Sequence, residues 1–162
     1  MDADFDSFYA TAAPSLQRLA VALTGDVHAA SDLTQDVLVK LLRAWDRLHV
    51  DNPHAYARTM LVRQVATSRR TGFLHRERPT AEVTPIGVVA DFAELAAESD
   101  RLVAALRKLP PRQRQAVVLR YLEDLSTEQT AEAMGCSSGT VKRAAHDGLN
   151  SLRNQLTEPA ER

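Results

Sequence analysis

Apolar residues recur at spacings of three and four along most of this chain, the period of an α-helix. Phe5, Phe8, Tyr9, Ala12, Leu16, Leu19, Ala20 and Leu23 form the first stripe and predict a helix from Phe5 to Leu23. Pro14 falls inside it and is expected to kink or divide the helix. Thr24-Gly25-Asp26 reads as a stop followed by a start, with Gly25 suited to the C′ position and Asp26 to an N-cap. The next stripe, Ala30, Leu33, Val37, Leu41, Ala44 and Leu48, predicts a second helix from Val27 to Asp46. Its opposite side carries Asp32, Gln35, Asp36, Val39, Lys40 and Arg43. Asn52-Pro53 opens a third helix, Asn52 as N-cap and Pro53 at N1. That helix runs through Tyr56, Met60, Val62 and Ala66 to Arg70.

The periodicity then lapses. Residues 71–90 hold Thr71-Gly72, Pro79 and Pro85-Ile86-Gly87, a break too long for an ordinary connection inside one compact domain. The pattern therefore predicts a domain over 1–74, a linker over 75–91, a second domain over 92–158 and a short tail over 159–162. In the second domain Phe92, Leu95, Leu102, Leu106 and Leu109 mark one helix. Pro110-Pro111 ends it, and the next is expected from Arg112 to Leu122. A capping box, Ser126-x-x-Gln129, opens a short helix over Glu128–Met134. Gly135-Cys136-Ser137 is a tight turn. A last helix follows from Ser138 to Leu156, with Val141, Ala145, Leu149 and Leu152 inward and Gly148 marking a close helix approach.

Composition narrows the class. The chain has 162 residues, 44 % hydrophobic, 25 % charged and 5 % aromatic, with six glycines, which disfavours a β-sandwich or barrel and global disorder. The expectation is an all-α fold of two small helical domains joined by a flexible linker. One cysteine excludes an internal disulfide framework and a Cys-based zinc site. The acidic start, Met1-Asp2-Ala3-Asp4, and the lack of a ~20-residue apolar run predict a cytoplasmic chain without membrane insertion. The net charge of −1 conceals a basic segment: residues 58–78 hold six arginines and one acid, while 79–97 hold three acids and no base. Such a distribution suggests a local anion-binding surface.

Three constellations carry candidate chemistry. A short helix, a turn with Gly135 and a longer helix follow the helix-turn-helix plan over 126–153. Ser138, Thr140, Lys142, Arg143 and His146 would then face a major groove, where Arg and Lys read guanine or bind phosphate. Alone, the same residues also fit an ordinary helical hairpin with a solvated face. The second is Arg58, Arg63, Arg69, Arg70, Arg76 and Arg78 with Tyr56, Phe73 and His75, bases and aromatics that can track a phosphate backbone and stack unpaired bases. Arginines at a solvated helix end fit equally well. The third is the mixed acidic and apolar side of the second helix, suited to a basic partner helix or simply to water. Cys136 fits its turn as a small residue, a redox role being the weaker reading. The five histidines lack metal-ligand spacing, and no phosphate loop, dinucleotide fingerprint or nucleophile elbow is present. Neither catalysis nor a cofactor is expected.

The motifs, in order, resemble a known family. Leu23-Thr24-Gly25-Asp26, Asp32-Leu33-Thr34-Gln35-Asp36-Val37, Trp45 and Asn52-Pro53-x-Ala55-Tyr56 look like the first domain of extracytoplasmic-function (ECF) sigma factors. Leu109-Pro110-Pro111-Arg112-Gln113-Arg114, Val118-Leu119-Arg120-Tyr121, Leu125-Ser126, Met134-Gly135-Cys136-Ser137 and Gly139-Thr140-Val141-Lys142 look like their second. The Leu-Thr-Gly-Asp signature is similar to the actinobacterial branch. The resemblance implies a dissociable specificity subunit of RNA polymerase, not an enzyme. Asp32, Gln35, Asp36, Val39, Lys40 and Arg43 would bind the clamp helices of the β′ subunit. Tyr56, Arg58, Arg63, Thr67, Arg69, Arg70, Phe73 and Arg76 would take part in melting the −10 element. Arg112, Arg120, Ser138, Thr140, Lys142, Arg143 and His146 would serve the −35 element, and the same domain would dock on the β flap. An anti-sigma protein, where one exists, would cover the Asp32–Val39 face or wedge between the domains. Arg63 stands where many relatives have asparagine, Ala66–Arg70 lacks a tryptophan, and His146-Asp147 replaces a frequent arginine; these departures bear on promoter sequence more than on role. The competing readings are a stand-alone helix-turn-helix regulator and a sigma-like decoy that binds without promoter opening.

Overall fold

The computed structural model describes residues 3–70 and 93–158, and every described element is helical. The chain divides into two compact units, 1–88 and 89–162. The expected linker over 75–91, with His75, Arg76 and Arg78, lies outside the described residues, as does Phe73. Among the described residues no helix is long and apolar enough to cross a membrane.

The first unit is a three-helix bundle in which α1 (Ala3–Thr24), α2 (Val27–Ala44) and α3 (Pro53–Arg70) pack mutually. Pro14 does not divide α1. It lies on the exposed side, while Ala12 and Leu16 flank it in the core. Burial of that stripe outweighs the ~3 kcal/mol cost of an interior proline. Gly25 takes a left-handed φ of 69° and ends α1. The Asp26 carboxylate accepts from the backbone N–H groups of His28 and Ala29, capping α2 as its position predicts. The core of α2 is Ala30, Leu33, Thr34, Val37, Leu38 and Leu41. Ala44 and Leu48, expected inside, are half-buried. The helix also ends at Ala44 rather than Asp46, giving way to a 3-10 turn over Trp45–Arg47. The turn places the Trp45 ring 5.2 Å from Phe5, edge-on, and 5.0 Å from Phe8. These contacts pack the tryptophan against α1 at the end of α2. Asn52 Oδ1 accepts from Ala55 N at 3.0 Å and starts α3.

The second unit contains α4 (Ala93–Arg107), α5 (Pro111–Val117), α6 (Thr127–Met134) and α7 (Ser138–Thr157). Leu109 lies beyond the end of α4 but is buried. The single helix expected over 112–122 is instead α5 followed by a π-helical turn, Val118–Leu122. Glu123 N donates to Val118 O at 3.0 Å and Leu125 N to Leu119 O at 3.0 Å, with Asp124 left-handed at φ 57°. The widened turn keeps Val118 and Leu119 in the core while Tyr121 and Leu122 face outward. Helix α7 packs on α4, α5 and α6. Gly148 makes its crossing with α5 possible: a Cβ there would meet Val117 Cγ2 at 2.7 Å and the Gln113 carbonyl oxygen at 3.1 Å.

Candidate nucleic-acid and protein interfaces

Helices α6 and α7 are set by local chemistry. Ser126 Oγ accepts from Gln129 N at 3.0 Å, and the Gln129 side chain accepts from Ser126 N at 2.9 Å, completing the capping box. Thr130 is fully buried and donates to Ser126 O at 2.8 Å. Gly135, at φ 68°, ends α6 in the left-handed region. Two residues later Ser137 caps α7, accepting from Thr140 N at 3.2 Å while its Oγ lies 2.9 Å from Thr140 Oγ1. Thus three residues turn the chain between two capped helices, the helix-turn-helix geometry.

With Val141, Ala144, Ala145, Gly148 and Leu152 buried, α7 presents Lys142, Arg143 and His146 to solvent, and Ser138 and Thr140 are half-exposed near its start. These five residues share the exposed N-terminal half of one helix. His146 Nε2 lies 3.3 Å from Asn150 Nδ2, one turn on. Asp147 is exposed on the same helix. Arg112 is exposed at the start of α5. Arg120 is different: its guanidinium donates to the Leu125 carbonyl and lies 5.8 Å from the Tyr121 ring centre. It ties down the π-helical turn, an internal task that the sequence pattern does not reveal.

On α3, Tyr56, Arg63 and Thr67 are spaced by seven and four residues and form one exposed stripe. Thr67 Oγ1 donates back to the Arg63 carbonyl at 2.9 Å. Arg58 does not join them. It projects from the side of α3 that carries Leu61, Val62 and Val65, all buried. Arg69 and Arg70 close the helix, and their side chains are outside the described set.

On α2, Asp32, Gln35, Asp36, Val39, Lys40 and Arg43 are all exposed. Val39 is 40 % and its neighbour Leu42 42 % accessible, so the face combines apolar area with carboxylates. Gln64 of α3, absent from the sequence-based expectations, reaches across: its Nε2 donates to Asp36 Oδ2 at 3.2 Å and its Oε1 accepts from Lys40 Nζ at 3.2 Å. No local pattern flags a partner 24 and 28 residues away. Arg114 was also missed, although its spacing of three and four from Val117 and Val118 places it on the apolar side of α5.

Fold and surfaces define a helix-turn-helix DNA-binding protein with a second helical bundle bearing an acidic and apolar face. Comparison with known proteins agrees. The family model "Sigma-70 region 2" matches residues 8–72, and "Sigma-70, region 4" matches 99–152. An RNA polymerase sigma-E factor of Streptomyces avermitilis is 36 % identical over 154 residues, covering 94 % of this chain and 85 % of the relative. The ECF RNA polymerase sigma factor SigD of Mycobacterium tuberculosis is 31 % identical over 157 residues, covering 90 % and 74 %. The structure of the sigma factor RpoE with the anti-sigma factor NepR from Bartonella quintana superimposes with a TM-score of 0.71 at 24 % identity, covering 98 % of this chain and 99 % of that one. CnrH in complex with the cytosolic domain of CnrY gives 0.66 at 19 %, covering 94 % and 86 %, a likeness of fold. The chain belongs to the extracytoplasmic-function family of sigma-70 sigma factors, and it is a promoter-directing transcription factor.

Proposed function

We propose that this sigma factor binds core RNA polymerase through the exposed face of α2, opens the −10 element along the Tyr56–Arg63–Thr67 stripe of α3, and reads the −35 element with the first half of α7. It has no enzymatic step of its own and acts in the cytoplasm beside the polymerase. Its division of labour follows the proposed boundaries, 1–74 for core and −10, 92–158 for −35 and the β flap, with 75–91 between. Lys142 and Arg143 supply phosphate and base contacts, and Ser138, Thr140 and His146 supply further polar ones. Arg112 adds a phosphate contact from α5. Phe73 and Arg76, beyond α3, belong to the −10 set in this reading, as do Arg69 and Arg70.

The observation that carries the proposal is the face of α2. Val39 and Leu42 stand exposed among Asp32, Gln35 and Asp36, which fits an amphipathic basic helix such as a clamp helix of the β′ subunit. An anti-sigma protein would compete for the same apolar residues. A stand-alone helix-turn-helix regulator would leave this face and the whole first unit without work.

The test is binding of the full-length protein to bacterial core RNA polymerase, wild type against Asp36→Arg. Tight binding weakened by the charge reversal, followed by promoter-specific run-off transcription, is the expected result. Folded wild-type protein that does not bind core overturns the proposal. Core binding without promoter opening would establish the decoy instead.

A further inference from the structure

Asp36 and Lys40 are one helical turn apart on α2, acid preceding base, the arrangement in which the two side chains pair most readily. In the structure the Asp36 carboxylate has another partner. The Gln64 amide stands between the two charges, donating to Asp36 Oδ2 and accepting from Lys40 Nζ, both at 3.2 Å. Gln64 is half-buried, whereas Asp36 and Lys40 are exposed. The most buried of the three therefore anchors the other two. A carboxylate used by a neutral amide retains its negative charge toward solvent. One clasped by its own lysine is neutralised in place and must break an ion pair before meeting a basic partner.

We propose that Gln64 is a positioning residue of the polymerase-binding face: by spacing Lys40 from Asp36 it keeps the Asp36 carboxylate open and pre-oriented for a cationic group of the partner. The inference rests on the reading of the α2 face given above. It adds that α3 contributes to core binding, through a residue adjacent to Arg63 of the −10 stripe. Holding Asp36 in place before association also lowers the entropic cost of ordering it on binding.

The experiment titrates full-length protein against core RNA polymerase and follows unfolding in parallel. Gln64→Ala lets Lys40 close on Asp36, and it is expected to weaken core binding about five-fold, the effect of one hydrogen bond at a partly solvated site. The discriminating variant is Lys40→Met in the Gln64→Ala background. Because Lys40 itself lies on the face, Lys40→Met is also made alone; relative to that single variant, the double variant should recover at least half of the Gln64→Ala loss on a logarithmic scale. A structural defect at residue 64 would not be repaired from residue 40. Melting temperatures within a few degrees of wild type show that the fold is retained. Wild-type affinity in Gln64→Ala, or a loss that Lys40→Met leaves untouched, overturns the proposal while the α2 reading stands. If Asp36→Arg binds core like wild type, the α2 reading fails and this inference falls with it.

Discussion

Arg114 Nε donates to the Leu106 carbonyl at 2.8 Å, and its Nη2 donates to the carbonyls of Arg107 and Leu109 at 2.8 and 2.9 Å. One buried guanidinium, 5 % accessible, thus satisfies three carbonyls where α4 ends and the chain turns into α5. The Leu106 carbonyl also accepts from Leu109 N at 3.0 Å, and the guanidinium completes the capping of this helix end. Replacing Arg114 by Met should destabilise the second unit by about 3 kcal/mol, because buried carbonyls lose a charged donor. For a unit of this size that is a fall of more than about 10 °C in melting temperature. Arg114→Lys should recover little, since a single ammonium group cannot span the fork. Thermal unfolding checks both; an unchanged melting temperature for Arg114→Met would refute the assignment.

Gly148 is expected to reject alanine. Helix propensity favours alanine by ~1 kcal/mol at an interior position. Here the new methyl would sit 2.7 Å from Val117 Cγ2 and 3.1 Å from the Gln113 carbonyl oxygen, neither of which can swing aside. Overpacking of this kind costs about 1–3 kcal/mol. Gly148→Ala should therefore be less stable than wild type in denaturant unfolding, and Gly139→Ala, where only Ser137 Oγ lies within reach at 3.9 Å, should not be.

The geometry of α3 separates two arginines that look equivalent in sequence. Arg63 shares an exposed stripe with Tyr56 and Thr67, whereas Arg58 is half-buried, in line with the buried Leu61, Val62 and Val65. Tyr56→Ala and Arg63→Ala are expected to reduce open-complex formation, read by permanganate reactivity of unpaired thymines, by roughly ten-fold each, the loss of one stacking or ionic contact. Arg58→Ala should leave the reactivity of promoter complexes close to wild type and show its effect in thermal stability. The reverse order would mean that another face of α3 meets the strand.

Removing the charge of Lys142 should weaken −35 binding and lower the slope of log affinity against log salt by about one, as for a phosphate contact. If Arg143 reads a base, Arg143→Ala costs about 1–3 kcal/mol at one position and relaxes selectivity there. Arg120→Ala behaves differently. Its hydrogen bond to Leu125 holds the turn before α6, so its substitution should lower stability without changing which sequence is preferred. Binding measured across single-base variants of the −35 element distinguishes the three outcomes.

The helices, their caps and the helix-turn-helix were legible because each depends on residues at most four positions apart. Asp26, Asn52, Ser126 and Gly135 act on their own neighbours, and the three-and-four spacing marks the inward faces. Motif order was enough to reach the family for the same reason. Where long-range packing competes with local preference, the sequence alone misleads. Pro14 predicts a kinked or divided helix, yet α1 runs undivided from Ala3 to Thr24 because the flanking Ala12 and Leu16 are held in the bundle core. The stretch 112–122 reads as one helix, yet core burial of Val118 and Leu119 is met by a π-helical turn. Arg58 and Arg120 read as surface charges, whereas Arg58 is half-buried on the packed side of α3 and Arg120 is bonded to the Leu125 carbonyl. Gln64 and Arg114 acquire their tasks from partners on other helices: Asp36 and Lys40 in one case, the end of α4 in the other. The amino-acid sequence by itself determined the elements, their termini and the kind of protein, since those follow from short-range hydrogen bonding and periodic burial. Only the tertiary structure decided which polar side chains are committed inside and which remain outside, because that depends on contacts between residues distant in the chain.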